Sequence, residues 1–370
     1  MIYLDYAANT SVDEKVLEVY VDATKKFIAN PNSNHYLGKL ARREIENTSI
    51  KFGLIFDCDK EGIIYTSGAS EANNLVIKGI SDRYKDVGNK IIISALEHSS
   101  VVAPCNYLAS KGYDVSVIPV NEEGIIDLDI LENEIDDKTI LVSICYVDSE
   151  LGTIQPIEKV ANIIKKYPNV IFHTDATQAI GKTIVDFQGV DFITFAPHKF
   201  FGLNGMGVLV NRNNLKMTPL IHGGKSTTIF RSGTPIPADV IATLKAFELA
   251  TDNLFDRSKR VAMLKQMIID DLKDNEHIHI NSPKNSVPNI LNISLIDKNK
   301  QEILKGLEEN GIYISSGAAC SLDNVPSKSV LAITKDNHLA TNTLRISISH
   351  LTTKEEIKKF LEVLNALLKK

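Results

Sequence analysis

Four short stretches hold side chains that could do chemistry, and each follows an apolar, strand-like run. In "TFAPHKFFG", Lys199 stands beside His198, with Phe195 before it and Phe200 and Phe201 after it. Most lysines are solvated surface charges, but this aromatic setting is a poor one for solvation. Desolvation lowers a lysine's pKa and makes its amine available as a Schiff-base nucleophile or a general base. In "VIFHTDATQ", Asp175 closes a strand that would be central in a sheet; such a residue serves as a helix N-cap as readily as a functional carboxylate. "YTSGASEANN" passes through Ser67, Gly68, Ala69 and Ser70 into a helical pattern. Small residues there let the backbone approach an anion, while Ser67 or Ser70 would also serve as the cap of a capping box. In "ALEHSSV", His98 follows another strand. A lone histidine is commonly structural, but one placed here could stack on a planar ring and exchange protons near neutral pH.

Asp175 and Lys199 belong together chemically. A carboxylate that pairs with a protonated ring nitrogen, one strand away from a Schiff-base amine, is what a pyridoxal cofactor needs to act as an electron sink. The Ser67–Ser70 turn then supplies a phosphate cradle. Two nucleotide-like signals fail on spacing. "HGGKSTT" would need the first glycine of a P-loop where Pro219 stands, and the glycines of "GLNGMG" precede a strand rather than a helix. A fifth stretch, "SSGAACSLDN", places Cys320 among small and polar residues, where a core cysteine is not expected. An incidental thiol, a metal ligand and a nucleophile on a movable arm are all open readings of it.

The elements that must position these residues alternate. Strand-like runs begin at Gly62, Lys90, Asp114, Thr139, Val170, Asp191 and Gly207, and several are apolar on both faces. Amphipathic stretches such as Ser70 to Tyr84, Ser99 to Ser110 and Ile157 to Tyr167 lie between them. This rhythm predicts an α/β fold with an open, mostly parallel sheet covered by helices, whose ligands collect beyond the carboxyl ends of the strands. The pattern changes around Thr251. A charged helix, the stretch "NSPKNSVPN", the short strands "ILNISLI" and "TLRISIS" and a Lys-rich helix from Thr353 to Lys370 read as a smaller α+β unit. The expected division is a large domain over residues 14–251 and a small C-terminal domain over 252–370, with segment 1–13 packing on the latter.

Composition narrows the class. The chain has 370 residues, 44% of them hydrophobic and 24% charged, and a formal net charge of −5, ordinary for a soluble globular protein. Interspersed charges suggest neither a nucleic-acid groove nor a polybasic membrane patch. No apolar run has the length of a membrane span, and "MIYLDYAANT" lacks the pattern of a secretory signal. Cys58, Cys105, Cys145 and Cys320 form no zinc-type spacing, so no metal is expected and a reducing, cytoplasmic setting is the simplest account. Cys105 and Cys145 fall in apolar patterns that suggest core packing.

"YLDYAAN", "SGASEANN", "EHSS", "HTDATQAIGK", "PHKFFG", "RSGT", "SSGAAC" and "TLRISISHLTT" occur in one order along nearly the whole chain. Together they resemble the cysteine desulfurases of the class V aminotransferase group, fold type I enzymes dependent on pyridoxal 5'-phosphate. The resemblance implies that Lys199 carries the cofactor as a Schiff base, that Asp175 pairs with its ring nitrogen and that His98 stacks on the ring. Gln178 and Ser149 would contact the phenolic oxygen; Ala69, Ser70 and His198 would hold the phosphate. Thr234 would reach a phosphate across a homodimer interface, and Arg345 would clamp the substrate carboxylate. Cys320 would take sulfur from L-cysteine as a persulfide, releasing alanine, and pass it to an acceptor protein for iron–sulfur cluster assembly or thiolation. Asn9, Asp148-Ser149, Ala196-Pro197 and Thr227 depart from the family pattern. A selenocysteine lyase, another class V lyase or transaminase, and a catalytically weak scaffold of the same fold are the alternatives.

Overall fold

The structure is a computed structural model that describes residues 1–224, 226–317 and 325–369. After the short strand β1 (Ile2–Tyr3), helices α1 (Glu14–Lys26) and α2 (Tyr36–Phe56) lead into the main sheet. Strand β2 (Ile63–Thr66) is followed by α3 (Ala69–Arg83), β3 (Lys90–Ser94), α4 (Ser99–Ala109) and β4 (Asp114–Ile118). Then come α5 (Leu128–Glu134), β5 (Thr139–Ser143), α6 (Ile157–Ile164), β6 (Ile171–Asp175), β7 (Phe192–Phe195) and β8 (Gly207–Asn211). These seven strands pair in the order β2-β8-β7-β6-β5-β3-β4. Only β8 runs against its neighbours, so the sheet is mostly parallel, as the sequence pattern predicts.

Burial on both faces explains the unbroken apolar runs. Because successive side chains point to opposite faces, Ile63, Ile92, Val142, Phe172 and Ile193 join one core with Phe52 and Phe56 of α2 and Val160 of α6. Their neighbours Ile64, Ile91, Leu141, Ile171 and Phe192 join a second core with Leu75 and Val76 of α3 and Val101 of α4. Each fully buried aliphatic or aromatic side chain contributes roughly 1.5–3 kcal/mol. Helix α1 starts at Asp13, whose side chain accepts from the Lys15 N–H, and ends with Lys25 and Lys26, which suit the negative end of the helix dipole.

Helix α7 (Pro237–Thr251) ends just before Asn253, which takes a left-handed conformation with φ of 52° and opens α8 (Leu254–Leu272). The remaining strands are β9 (Ile278–Ile280), β10 (Ile290–Leu295), β11 (Ile312–Tyr313) and β12 (Thr343–Ser347), with α9 (Lys300–Glu309), α10 (Lys328–Thr334), α11 (Asn337–Thr341) and α12 (Lys354–Leu368). An antiparallel sheet in the order β12-β10-β9 packs with α8, α9 and α12 around Leu264, Ile293, Leu307, Ile346 and Phe360. Leu4 belongs to this same core, and β1 pairs with β11. Among the described residues no helix is long and apolar enough to cross a membrane.

Candidate active site

Parallel strands present their carboxyl ends on one edge of the sheet, and the polar residues singled out in the sequence follow those ends. The turn after β2 brings Ser67 to Ser70, the segment after β3 brings His98, and the segment after β5 brings Ser149. Strand β6 ends on Asp175 with Gln178 just beyond it, and the short 3-10 turn Pro197–Lys199 follows β7. All of these line one cavity of about 300 Å³, closed from the other side by Ala7, Ala8 and by Arg345 of β12. Sites of this size hold small organic ligands.

Lys199 Nζ donates to the carbonyls of Ala7 (3.0 Å) and Ala8 (2.6 Å), so the N-terminal segment fixes the amine at the cavity wall. Asp175 Oδ1 accepts from the Thr177 N–H (2.9 Å) and Oδ2 accepts from Asn73 Nδ2 (2.8 Å). Gln178 Nε2 donates to the Ala7 carbonyl (2.9 Å), and its Oε1 accepts from Lys182 Nζ (2.6 Å). Because an ammonium or amine N–H donates and a carbonyl only accepts, these two partners hold the Gln178 amide in one orientation. Burial, with the charges of Lys199 and Arg345 adding to it, pushes the Lys182 amine well below the usual lysine range.

His98 is the N-cap of α4, and its Nδ1 accepts from the Ser100 N–H. Burial lowers its pKa; Asp175 opposes that shift and Lys199 adds to it. His198 is pushed down to about 4 by burial and by Lys199 and Lys182. Ala69 and Ser70 form the first turn of α3, whose N-cap is Gly68 without any side-chain cap. The capping box that Ser67 or Ser70 offered as the alternative is therefore not formed. Instead Glu71 accepts from the Ser67 N–H (2.7 Å) and pairs with Arg231 (2.9 Å), which leaves the helix N-terminus facing the cavity for an anion. Gly207 lets this turn lie close to β8: a Cβ there would stand 2.3 Å from the Gly68 carbonyl carbon.

Arg345 is 2% exposed and pairs through Nη2 with Asp5 Oδ1 at 2.9 Å. Its Nη1 donates to the Ser149 carbonyl (2.9 Å), and its Nε is buried without a partner among the described residues. Thr234 is not brought to this cavity within one chain. It lines a separate cavity of about 140 Å³ with Thr227 and Arg231, and Ser67 borders both. Cys320 lies outside the described residues. Cys105 and Cys145 are buried as expected, yet Cys145 also lines the main cavity.

Several contributors carry little signal in the sequence. Asn73 hides among the apolar residues of α3, although its position beside Ala72, Leu75 and Val76 puts it on the buried face. Glu97 is buried and accepts at Oε1 from Ser94 Oγ and the Cys145 N–H, both at 2.6 Å, while Oε2 has no partner among the described residues. Burial pushes its carboxyl up to about 8, and the charge of Asp175 adds to the shift. Thr177 Oγ1, from a residue at the cavity wall, is buried without a partner among the described residues.

The class-V aminotransferase family matches residues 2–360 of the chain. A cysteine desulfurase IscS of Dictyoglomus turgidum is 36% identical over 374 residues, covering 100% of this chain and 95% of that protein. A solved NifS-like protein superposes with a TM-score of 0.93 at 31% identity, covering 100% of this chain and 99% of the other. The structure described as SspA in complex with cysteine superposes with a TM-score of 0.83 at 30% identity, covering 95% of this chain and 100% of that one. A cavity lined by Lys199, Asp175, His98 and Arg345, on a mostly parallel sheet shared with these proteins, places the chain in the class-V aminotransferase family, among the cysteine desulfurases.

Proposed function

We propose that the protein is a pyridoxal 5'-phosphate-dependent cysteine desulfurase that converts L-cysteine to L-alanine and passes the sulfur through Cys320 to an acceptor. The observation that carries this reading is the convergence of Lys199, Asp175, Gln178, His98 and Arg345 on one cavity of about 300 Å³. The residues present fit the cofactor. An uncapped helix N-terminus bordered by Gly68 suits a phosphate, Asp175 suits a protonated ring nitrogen, and Thr177 Oγ1 is a buried hydroxyl lacking a partner among the described residues.

Pyridoxal phosphate supplies an electron sink that makes bonds at the substrate's α- and β-carbons breakable. Lys199 would attach it and, once displaced by the substrate amine, move the α-proton. Asp175 would face the ring nitrogen, and the free N–H of Gln178 would face the phenolic oxygen together with Ser149. His98 would lie against the ring, and Ala69, Ser70 and His198 would hold the phosphate. Thr234 would complete that phosphate site from the second protomer of a homodimer. Arg345 would bind the substrate carboxylate through its guanidinium fork.

Cys320 acts on the substrate rather than on the cofactor. Its thiolate attacks the cysteine Sγ; an S–S bond forms, the Cβ–Sγ bond breaks, and the carbon skeleton keeps the electron pair and leaves, protonated, as alanine. The persulfide then waits for a second thiol or scaffold, for cluster assembly or thiolation, in a cytoplasmic setting.

The test is L-cysteine turnover by the cofactor-loaded protein, with mass spectrometry of the Cys320 peptide. Alanine release and one added sulfur on Cys320 are expected. In Cys320→Ala both stop while the substrate-induced spectral change remains. A protein that gains no visible absorbance band with pyridoxal phosphate would sink the enzyme reading, and unchanged turnover in Cys320→Ala would sink the nucleophile.

A further inference from the structure

We infer that Asn73 and Ser100 are positioning residues that hold His98 in the Nε2–H tautomer, so that the ring meets whatever occupies the cavity as a hydrogen-bond donor. The inference rests on the reading of the cavity given above, and it follows from a chain of four hydrogen bonds. Asp175 Oδ2 is a carboxylate oxygen 2.8 Å from Asn73 Nδ2, which requires the amide nitrogen, not its oxygen, on that side. The same nitrogen lies 2.8 Å from Ser100 Oγ. One hydrogen serves each acceptor, so the Ser100 hydroxyl oxygen receives a proton from Asn73 and turns its own elsewhere. His98 Nδ1, at 2.8 Å, is where it goes.

A second donor settles the direction. The Ser100 backbone N–H also points at His98 Nδ1, at 3.2 Å, and a backbone N–H can only donate. Nδ1 is therefore an acceptor and the ring proton sits on Nε2, which has no partner among the described residues. The surroundings agree with a neutral ring. His98 caps the 11-residue α4, whose positive end disfavours an imidazolium. Lys199, from the turn after β7, and burial disfavour it as well, and Asp175 of β6 is the charge on the other side of the balance.

This arrangement separates two jobs a histidine could do. With Nδ1 occupied twice, the ring is not a base toward α4, and at the cavity it gives a hydrogen bond instead of taking a proton. Neither Asn73 nor Ser100 lines the cavity; they act through His98. Asn73 also ties the His98 tautomer to Asp175, the carboxylate that would pair with the ring nitrogen, so one amide links the two side chains.

Histidine C2–H deuterium exchange, read peptide by peptide in the purified protein, gives the protonation midpoint of His98 directly. The midpoint should rise in Ser100→Ala, because the shorter of the two donors that favour the neutral ring is gone and only the backbone N–H remains, and return in Ser100→Thr. It should also rise in Asn73→Ala, where the hydroxyl is free to turn and accept from Nδ1. In Ser100→Ala, kcat with L-cysteine should fall about fivefold to tenfold, the worth of one hydrogen bond, with KM little changed. A midpoint unmoved in both alanine variants, or equally raised in Ser100→Thr, overturns the inference. The exchange midpoint is read whether or not the protein turns over cysteine, so failure here and failure of the desulfurase reading are separately visible.

Discussion

Asp5 and Arg345 meet at 2.9 Å, joining the segment after β1 to strand β12 at the wall of the cavity. The arginine is buried, its Nε is already without a partner among the described residues, and the Ser149 carbonyl takes a second N–H. The guanidinium proposed to receive the substrate carboxylate is thus held in place by a carboxylate from more than 300 residues earlier in the chain.

Asp5→Asn keeps the shape and removes the charge. It leaves a buried guanidinium without its anion, which costs about 2–3 kcal/mol in a pair whose carboxylate keeps some solvent contact. Urea unfolding should show that loss. KM for L-cysteine should rise about tenfold as the fork loses its fixed orientation. Wild-type stability together with wild-type KM would show that Asp5 does not hold Arg345.

Gly207 opens β8 against the turn that begins α3. A Cβ at this position would lie 2.3 Å from the Gly68 carbonyl carbon, and backbone cannot step aside as a side-chain tip can. Gly207→Ala should lower stability by about 1–3 kcal/mol, the usual cost of overpacking. Its affinity for pyridoxal phosphate, followed by equilibrium titration of the absorbance band, should weaken in parallel because the displaced turn is the one proposed to hold the phosphate. Tight cofactor binding in a destabilised Gly207→Ala protein would break that link.

Glu97 makes stability depend on pH in a definite direction. Burial raises its carboxyl to about 8 in the folded protein. The folded state then binds more protons than the unfolded one between the ordinary carboxylate range and that value. Stability contributed by the protonated form is therefore lost as pH rises toward about 8. Glu97→Gln reproduces the uncharged form, with its oxygen placed to accept from Ser94 and Cys145. Between about pH 5 and about pH 8 its melting temperature should fall less than that of the wild type, and at the upper end it should be more stable by about 1–3 kcal/mol. Parallel melting curves across this range would show that Glu97 does not titrate there.

The strands were legible because burial on both faces leaves unbroken apolar runs, and the residues after them were legible because a parallel sheet gathers its strand ends on one edge. The direction of β8 was not. "GVLVN" is apolar on both faces whichever way it runs, and only its pairing with β2 and β7 sets the reversal. Asp175, Lys199 and His98 stood out as polar residues in apolar surroundings. Asn73 and Asp5 did not, since each is ordinary in its local pattern and gains meaning from a partner more than 100 residues away. The alternative reading of Ser67 or Ser70 as a helix cap drops out because Glu71 takes the Ser67 N–H and leaves Gly68 at the cap.

Lys182 gives the site a problem of chemical selectivity. A buried amine whose basicity is depressed is a competent nucleophile toward an aldehyde, and this one is a neighbour of Lys199 around a small cavity of about 30 Å³. Gln178 Oε1 holds it, and only Lys199 of the two lines the larger chamber. The attachment proposed for Lys199 therefore turns on access rather than on basicity: the Gln178 amide keeps the neighbouring amine occupied, where chemistry alone would allow two points of attachment.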